Sequence, residues 1–259
     1  MPELSDLQVY SKNLVKKLKG KELEKIVIVE KSKIEATEKE FNTALSGKHL
    51  KDVYRVGKEL YFDFGKDALV SMHLMLNGKL IQDDKEERPK HTIAAFIFKD
   101  GNQLAMTDFQ KIAKITLNPE PNDVVDALSD ELTAVWLEGK LQKSRAIIKS
   151  FIIDQKMIGG IGNAYADEIL WEAKISPKSI SSKIPKEAVA RLAKAIKDVL
   201  INAEKEILKS NPDIISGEIR DFMAVHNSKR KTSPTGAEII NEKIGGKSTY
   251  YTDEQELYS

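Results

Sequence analysis

Two grammars of apolar and polar positions divide this chain. Leu4, Leu7, Leu14 and Leu18 recur at near-helical spacing and stop at Gly20, which predicts an opening helix over 3–19. From 22 to 117 the period shortens to two. Apolar alternations at 26–29, 60–64, 68–72, 93–98 and 112–117 are separated by Phe64-Gly65-Lys66-Asp67, Asn77-Gly78 and Asp100-Gly101-Asn102. Alternating faces broken by turn-forming residues predict an antiparallel β-domain. Asn118-Pro-Glu-Pro-Asn122 reads as a linker. Beyond it, apolar faces opposed by charge predict helices at about 124–137, 142–155, 162–173 and 185–209, the last ended by Asn211-Pro212. A short helix-like stretch from 216 then precedes two short strands around Gly245-Gly246. The fold class is α+β.

Composition narrows the setting. The 259 residues exceed a typical single domain, and 41% hydrophobic with 31% charged fits a soluble globular protein. No apolar run approaches the roughly 18 residues of a membrane span, and the start lacks the apolar core of a signal peptide, so residence inside the cell is expected. There are 0 cysteines, which excludes disulfides, thiol nucleophiles and cysteine-ligated metals. His49, His73, His91 and His226 are scattered without metal-ligand spacing, so neither a metal nor another cofactor is expected. With 41 basic against 40 acidic residues, any footprint for nucleic acid has to be local. The candidate is His226-Asn-Ser-Lys-Arg-Lys231, with Lys243 and Lys247.

Chemistry enters at the first three residues, Met1-Pro2-Glu3. Proline at position two permits removal of the initiator methionine, leaving Pro2 as a free secondary amine beside the Glu3 carboxylate. A terminal amine titrates at about 7.7–8.0, far below lysine, so a useful fraction is nucleophilic at neutral pH. Its attack on a sugar carbon gives an iminium that serves as an electron sink, while an adjacent acid protonates the leaving oxygen. A second segment, Asp154-Gln-Lys-Met-Ile-Gly-Gly-Ile-Gly-Asn-Ala-Tyr-Ala-Asp-Glu-Ile-Leu170, reads as a helix, a glycine-rich turn and a new helix from about Gly162-Asn163. The unsatisfied N–H groups and dipole of such a helix start suit a phosphate, with Asn163 as a further donor and Lys156 supplying charge.

This string closely resembles the helix–two-turn–helix of the formamidopyrimidine-DNA glycosylase/endonuclease VIII family, whose run is similar to D-Q-x-x-V/I-A-G-I/L-G-N-I/V-Y-A-D/S-E. The resemblance implies an N-terminal antiparallel β-sandwich catalytic domain over 1–120, a helix–two-turn–helix DNA-binding domain over 121–215 and a C-terminal finger over 216–259. It makes Pro2 the nucleophile and Glu3 its acid partner. Arg55-Val-Gly-Lys58 looks like the family's β-hairpin lysine, so Lys58 would contact the lesion phosphate. His73-Leu-Met-Leu-Asn-Gly-Lys-Leu80 resembles H-L-G-M-S-G-x-L, placing Leu76 where a methionine fills the gap left by a flipped base. Lys90-His91 is similar to the K-H-D-H segment, and His91 would contact DNA.

Three departures matter. The family's D-P-R-R-F-G appears as Asp108-Phe-Gln-Lys-Ile-Ala113, so Gln110 and Ile112 replace the arginine that reads the opposite base and the phenylalanine that wedges the stack. Near the start, Ser5 and Asp6 replace proline and glutamate. Where zinc-bearing members have two cysteine pairs, this chain has Ser233-Pro-Thr-Gly236 and Tyr251-Thr252, while Gly246-Lys-Ser-Thr-Tyr-Tyr251 still looks like the finger turn. That implies a zincless finger held by Ile239, Ile240, Tyr250 and Tyr251. Lys247 stands where an arginine would grip the lesion phosphates, keeping the charge and losing the planar fork. The implied activity is a monomeric DNA glycosylase/AP lyase acting on oxidised bases in damaged DNA, with duplex as the expected partner, preference over single strands left open, and no membrane partner. A damage-binding protein without catalysis and an RNA-binding protein remain as alternatives on the same scaffold.

Overall fold

A computed structural model describes residues 1–32, 34–84 and 87–259. They form two compact units: Met1–Pro2, Asp6–Asn122 and Leu208–Glu218 make the first, and Glu3–Ser5, Asp123–Ile207 and Ile219–Ser259 the second. No helix among the described residues is long and apolar enough to cross a membrane.

The first unit is a sandwich of two antiparallel sheets. One contains β1 (Leu23–Ile28), β6 (Thr92–Phe98), β7 (Gln103–Thr107) and β5 (Lys79–Asp83), in that order. The other contains β2 (Asp52–Val56), β3 (Glu59–Asp63), β4 (Leu69–His73) and β8 (Lys114–Leu117). Their apolar faces meet through aromatic edges, with Phe62 and Phe64 lying 5.3 and 5.9 Å from the ring of Phe96. The opening helix α1 (Leu4–Leu18) buries Leu7, Tyr10, Leu14 and Leu18 along one stripe. A helix the periodicity did not predict, α2 (Glu38–Leu45), starts in a capping box: Thr37 accepts from Glu40 N, and the Glu40 side chain accepts from Thr37 N. Strand β8 begins at Lys114 rather than at 112, because the Asp108 carboxylate takes the N–H groups of Ile112 and Ala113.

The second unit holds helices α3 (Ala134–Leu141), α4 (Ile148–Ile153) and α5 (Asn163–Glu172), and most of α6 (Lys186–Ser210). Leu137, Phe151, Ile158, Ile161, Tyr165, Ile169, Leu192 and Ile196 belong to its apolar core. Two helix expectations need correction. Residues 124–133 are irregular, since Asp126 ties back to Leu128 N and helix α3 starts only where Thr133 caps it on Trp136 N. Most of 142–147 is likewise not helical: Ser144 Oγ accepts from Ala146 N, and Ile147 pairs across to Ile180. No helix follows 216 among the described residues; instead the Glu168 carboxylate gathers the N–H groups of Ala224, Val225 and His226 at 2.7–2.8 Å.

The C-terminal hairpin pairs β9 (Ile240–Ile244) with β10 (Lys247–Tyr251). Its two-residue turn is Gly245-Gly246, both in the left-handed region at φ 58° and 77°, as a tight hairpin of this kind requires. The anchoring differs from expectation. Ile240 points to solvent, and the buried positions are Ile244, Thr249 and Thr252. By period two Ile240 lies on the same face as Ile244 and Thr249, but it sits at the open end of the hairpin opposite Tyr251, where that face is exposed.

Candidate active site and nucleic-acid interface

In the first unit, Pro2 is buried and the terminal ammonium of Met1 pairs with Glu218 at 2.5 Å. Gly57 and Lys58 form the turn between β2 and β3, where Val56 pairs with Glu59. Gly57 has φ 57°, and Arg55 holds the turn by donating to Gly57 O at 3.0 Å and to Gln8 Oε1 at 3.0 Å. Lys58 therefore stands half-buried on a braced hairpin tip.

Leu76 lies on the loop after β4, closed by Gly78 N donating to Leu74 O at 2.8 Å. The His73 Nδ1 accepts from Met75 N at 2.9 Å, which requires that ring nitrogen to be unprotonated. Burial pushes the His73 imidazole below its ordinary 6.5 and so favours the accepting form. Leu76 is left 54% exposed, which is unusual for a side chain of that size on so well fixed a loop. The next residue, Asn77, donates to Gln110 Oε1 at 2.6 Å and joins this loop to the 108–113 segment. Asp108 fixes that segment by accepting from Gln110, Ile112 and Ala113 N at 2.8–3.0 Å. Asp108 N in turn donates to the carbonyl of exposed His91. Leu76, His91 and Gln110, far apart in sequence, thus sit on one hydrogen-bonded set of loops. Phe109 at 61% exposure belongs to it as well. The sequence reading passed over Phe109 because Ile112 occupied the expected wedge position.

In the second unit the glycine turn wraps Glu3 and Leu4. Gly160 has φ 104°, and a Cβ there would overlap the Leu4 side chain; a Cβ on Gly162 would overlap the carboxylate of Glu3. That carboxylate accepts from Ala164 N at 3.0 Å and Tyr165 N at 3.4 Å. The amides read from sequence as a phosphate cradle are therefore occupied by an internal anion, bound by the same dipole logic. Asn163 sends its amide to Ser248 O at 2.9 Å, tying the start of α5 to the hairpin. Lys156 is exposed, with its N–H on Asp154 Oδ1 at 2.9 Å. Lys247 is exposed at the first position of β10.

A buried polar network that sequence reasoning missed supports this half. Lys149, 1% exposed, pairs with Asp167 at 2.6 Å and donates to Thr249 Oγ1 at 2.7 Å and to Ser248 O at 3.2 Å. Asp167 also accepts from Tyr250 N at 2.9 Å and meets His226 Nδ1 at 2.7 Å. Burial pushes the Lys149 ammonium down, and the Asp167 charge opposes it. Asp167 and Glu168 sit inside the quoted motif, so a signal was present; Lys149 was visible only as a lysine among apolar neighbours. The hairpin's hydroxyls close the remaining gap. Ser233 Oγ meets Thr235 Oγ1 at 2.7 Å, and Thr235 and Thr252 both donate to Glu254 Oε2. These hydroxyls and a single carboxylate do not fit a finger zinc, and no metal-holding group of three or more His, Cys, Asp or Glu exists among the described residues.

A two-sheet sandwich, together with a glycine-turned helix pair and a short C-terminal hairpin, is the architecture of a class of DNA-repair glycosylases. Residues 1–115 match the formamidopyrimidine-DNA glycosylase N-terminal domain, and residues 124–210 match the formamidopyrimidine-DNA glycosylase H2TH domain. The chain is 30% identical to a formamidopyrimidine-DNA glycosylase of Pelotomaculum thermopropionicum over 97% of both chains. It is 31% identical to that of Enterococcus faecalis over 97% of this chain and 95% of that one. Among solved structures, Lactococcus lactis Fpg in complex with abasic-site DNA superposes with TM-score 0.88 at 25% identity, covering 98% of this chain and 100% of that one. The same protein with DNA containing an oxidised pyrimidine gives 0.87 at 25% identity, over 97% and 98%. The chain belongs to the formamidopyrimidine-DNA glycosylase family.

Proposed function

We infer that this chain is a DNA glycosylase of base excision repair, and we propose that it couples base removal to strand cleavage through Pro2. The observation that carries the reading is the Pro-Glu start, whose Glu3 is clamped on the first amides of α5. The damaged nucleotide leaves the duplex at a cost of a few kcal/mol, and Leu76 takes the vacated space. Pro2 attacks C1′ as the C1′–O4′ bond opens onto a proton from Glu3; the base then leaves the open-chain aminal with the Pro2 N–H proton, and the iminium remains. The iminium acidifies the C2′ proton, and β-elimination breaks the strand. Lys58 in one unit, and Asn163 and Lys247 in the other, contact phosphates; His91 and Lys156 add backbone contacts, and Gly162 keeps the turn close. Gln110 faces the opposite base. Its neutral amide lacks the bidentate cationic fork of arginine, so cytosine is not strictly selected. In a bacterial cell the substrate lies in the nucleoid.

The support is the family membership, the exposed apolar tip of Leu76, and the complexes of its structural relatives with damaged DNA. The test is borohydride reduction with a panel of single-lesion duplexes, each set against every opposite base. A covalent complex with at least one oxidised base or abasic site is expected. Lesion binding without any adduct would instead make the chain a damage-binding protein.

A further inference from the structure

The chain that leaves α6 does not stay with the helices. Leu208–Glu218 clusters with the β-sandwich unit, although the residues on both sides of it belong to the other unit. Two hydrogen bonds fix this return on α1. The buried Asn13 donates from Nδ2 to Ile214 O at 2.8 Å, and the buried Tyr10 donates its hydroxyl to Gly217 O. At the end of the pinned segment stands Glu218, with Oε1 2.5 Å from the terminal ammonium. Nothing in the reading of the sequence gave this carboxylate a role.

We propose that Glu218 is a second catalytic carboxylate, which takes the proton from the Pro2 amine and returns it during imine formation. The proposal rests on Pro2 being the nucleophile. Trimming Met1 moves the terminal nitrogen back by one residue, a Cα step of about 3.8 Å, which rotation of a glutamate side chain covers. Glu218 is 34% exposed at its side chain and pairs with the terminal amine.

The steps balance on an abasic sugar in its aldehyde form. The Pro2 ammonium gives one proton to the Glu218 carboxylate. The freed amine bonds to C1′, and its remaining N–H proton passes to the carbonyl oxygen, giving the carbinolamine. Protonated Glu218 then returns its proton to that hydroxyl, which leaves as water. The product is the iminium, with the Glu218 carboxylate restored beside the positive charge. Ammonium plus aldehyde has become iminium plus water.

The experiment uses the full chain, with loss of Met1 verified by intact mass, and a duplex carrying one abasic site. Single-turnover borohydride trapping is followed across neutral pH for wild type, E218Q and E218D, with binding to an uncleavable abasic analogue measured in parallel. E218Q is expected to trap at least roughly tenfold more slowly, the scale of one acid–base group. Its basic limb should move to lower pH, because the ammonium has lost the anion that favours it. E218D should recover part of the rate, and duplex affinity should be unchanged in both variants. Wild-type trapping by E218Q, a slower reaction with an unmoved pH profile, or a parallel loss of duplex affinity would each overturn the assignment. If wild type itself forms no adduct, the Pro2 reading fails and takes this proposal with it.

Discussion

The carboxylate of Glu3 occupies the space that a side chain on Gly162 would need. Glu3 and the glycine turn are thus one structural device, in which the turn gives way so that its helix can hold the carboxylate. Gly162→Ala should destabilise the second unit by about 1–3 kcal/mol, the usual scale of overpacking, and should displace Glu3. Denaturant unfolding measures the first effect and base-excision rate the second. A variant with wild-type stability and excision would show that Glu3 does not need this clamp.

The Lys149–Asp167 pair ties α4 and α5 to the hairpin through Ser248, Thr249 and Tyr250. Lys149→Met leaves Asp167 buried without its cation, and losing one partner of such a pair costs about 3–5 kcal/mol. Denaturant unfolding should register that loss. Weakened duplex binding should accompany it, since Lys149 also holds the backbone next to Lys247. Chelators, by contrast, should leave activity intact, because no cysteine is available and the finger is closed by Ser233, Thr235, Thr252 and Glu254. An activity loss under chelation reversed by zinc would contradict this account of the finger.

The pH dependence of the Leu76 loop follows from His73. Its folded pKa lies below the ordinary 6.5, so the unfolded chain binds this proton more readily. The stability it contributes is complete above that value and is lost as pH falls through the folded pKa. Acidification should therefore release Met75 N and loosen the loop, seen as faster amide exchange at 74–78. His73→Asn, which cannot titrate, should flatten this acid limb; an acid limb that persists in the variant would assign it elsewhere.

Leu76→Ala should leave stability nearly unchanged, since the side chain is exposed, while lowering the excision rate on paired lesions more than the cleavage of preformed abasic sites. Equal losses on both substrates would show that Leu76 does not fill the vacated stack.

Much of this was legible in the sequence, and the failures have physical causes. Strands with alternating faces and the long helix α6 announced themselves by period, and the diglycine announced the hairpin turn. Strand β7 did not, because all five of its residues are buried and no alternation remains to be read. Helix α2 was missed although Thr37 and Glu40 carry the capping-box spacing, because its eight residues show too little periodicity. Residues 124–133 carry helix-compatible apolar spacing, yet Asp126 and Thr133 spend their side chains on local turns and a cap. The motifs singled out Glu3 and Gly162 separately, but they could not show that the Glu3 carboxylate lies against Gly162. They did not find Lys149, whose contacts to Ser248 and Thr249 are made only by the fold.

The account turns on which atom bonds to the sugar. Reduction of the reaction with abasic duplex, followed by tandem mass spectrometry of the trapped peptide, reads that atom directly. The expected result is a deoxyribose-derived mass on Pro2 of a chain that has lost Met1, with the adduct abolished or severely reduced in Pro2→Gly. An adduct on a lysine, or lesion excision by protein that still begins with Met1, would contradict it.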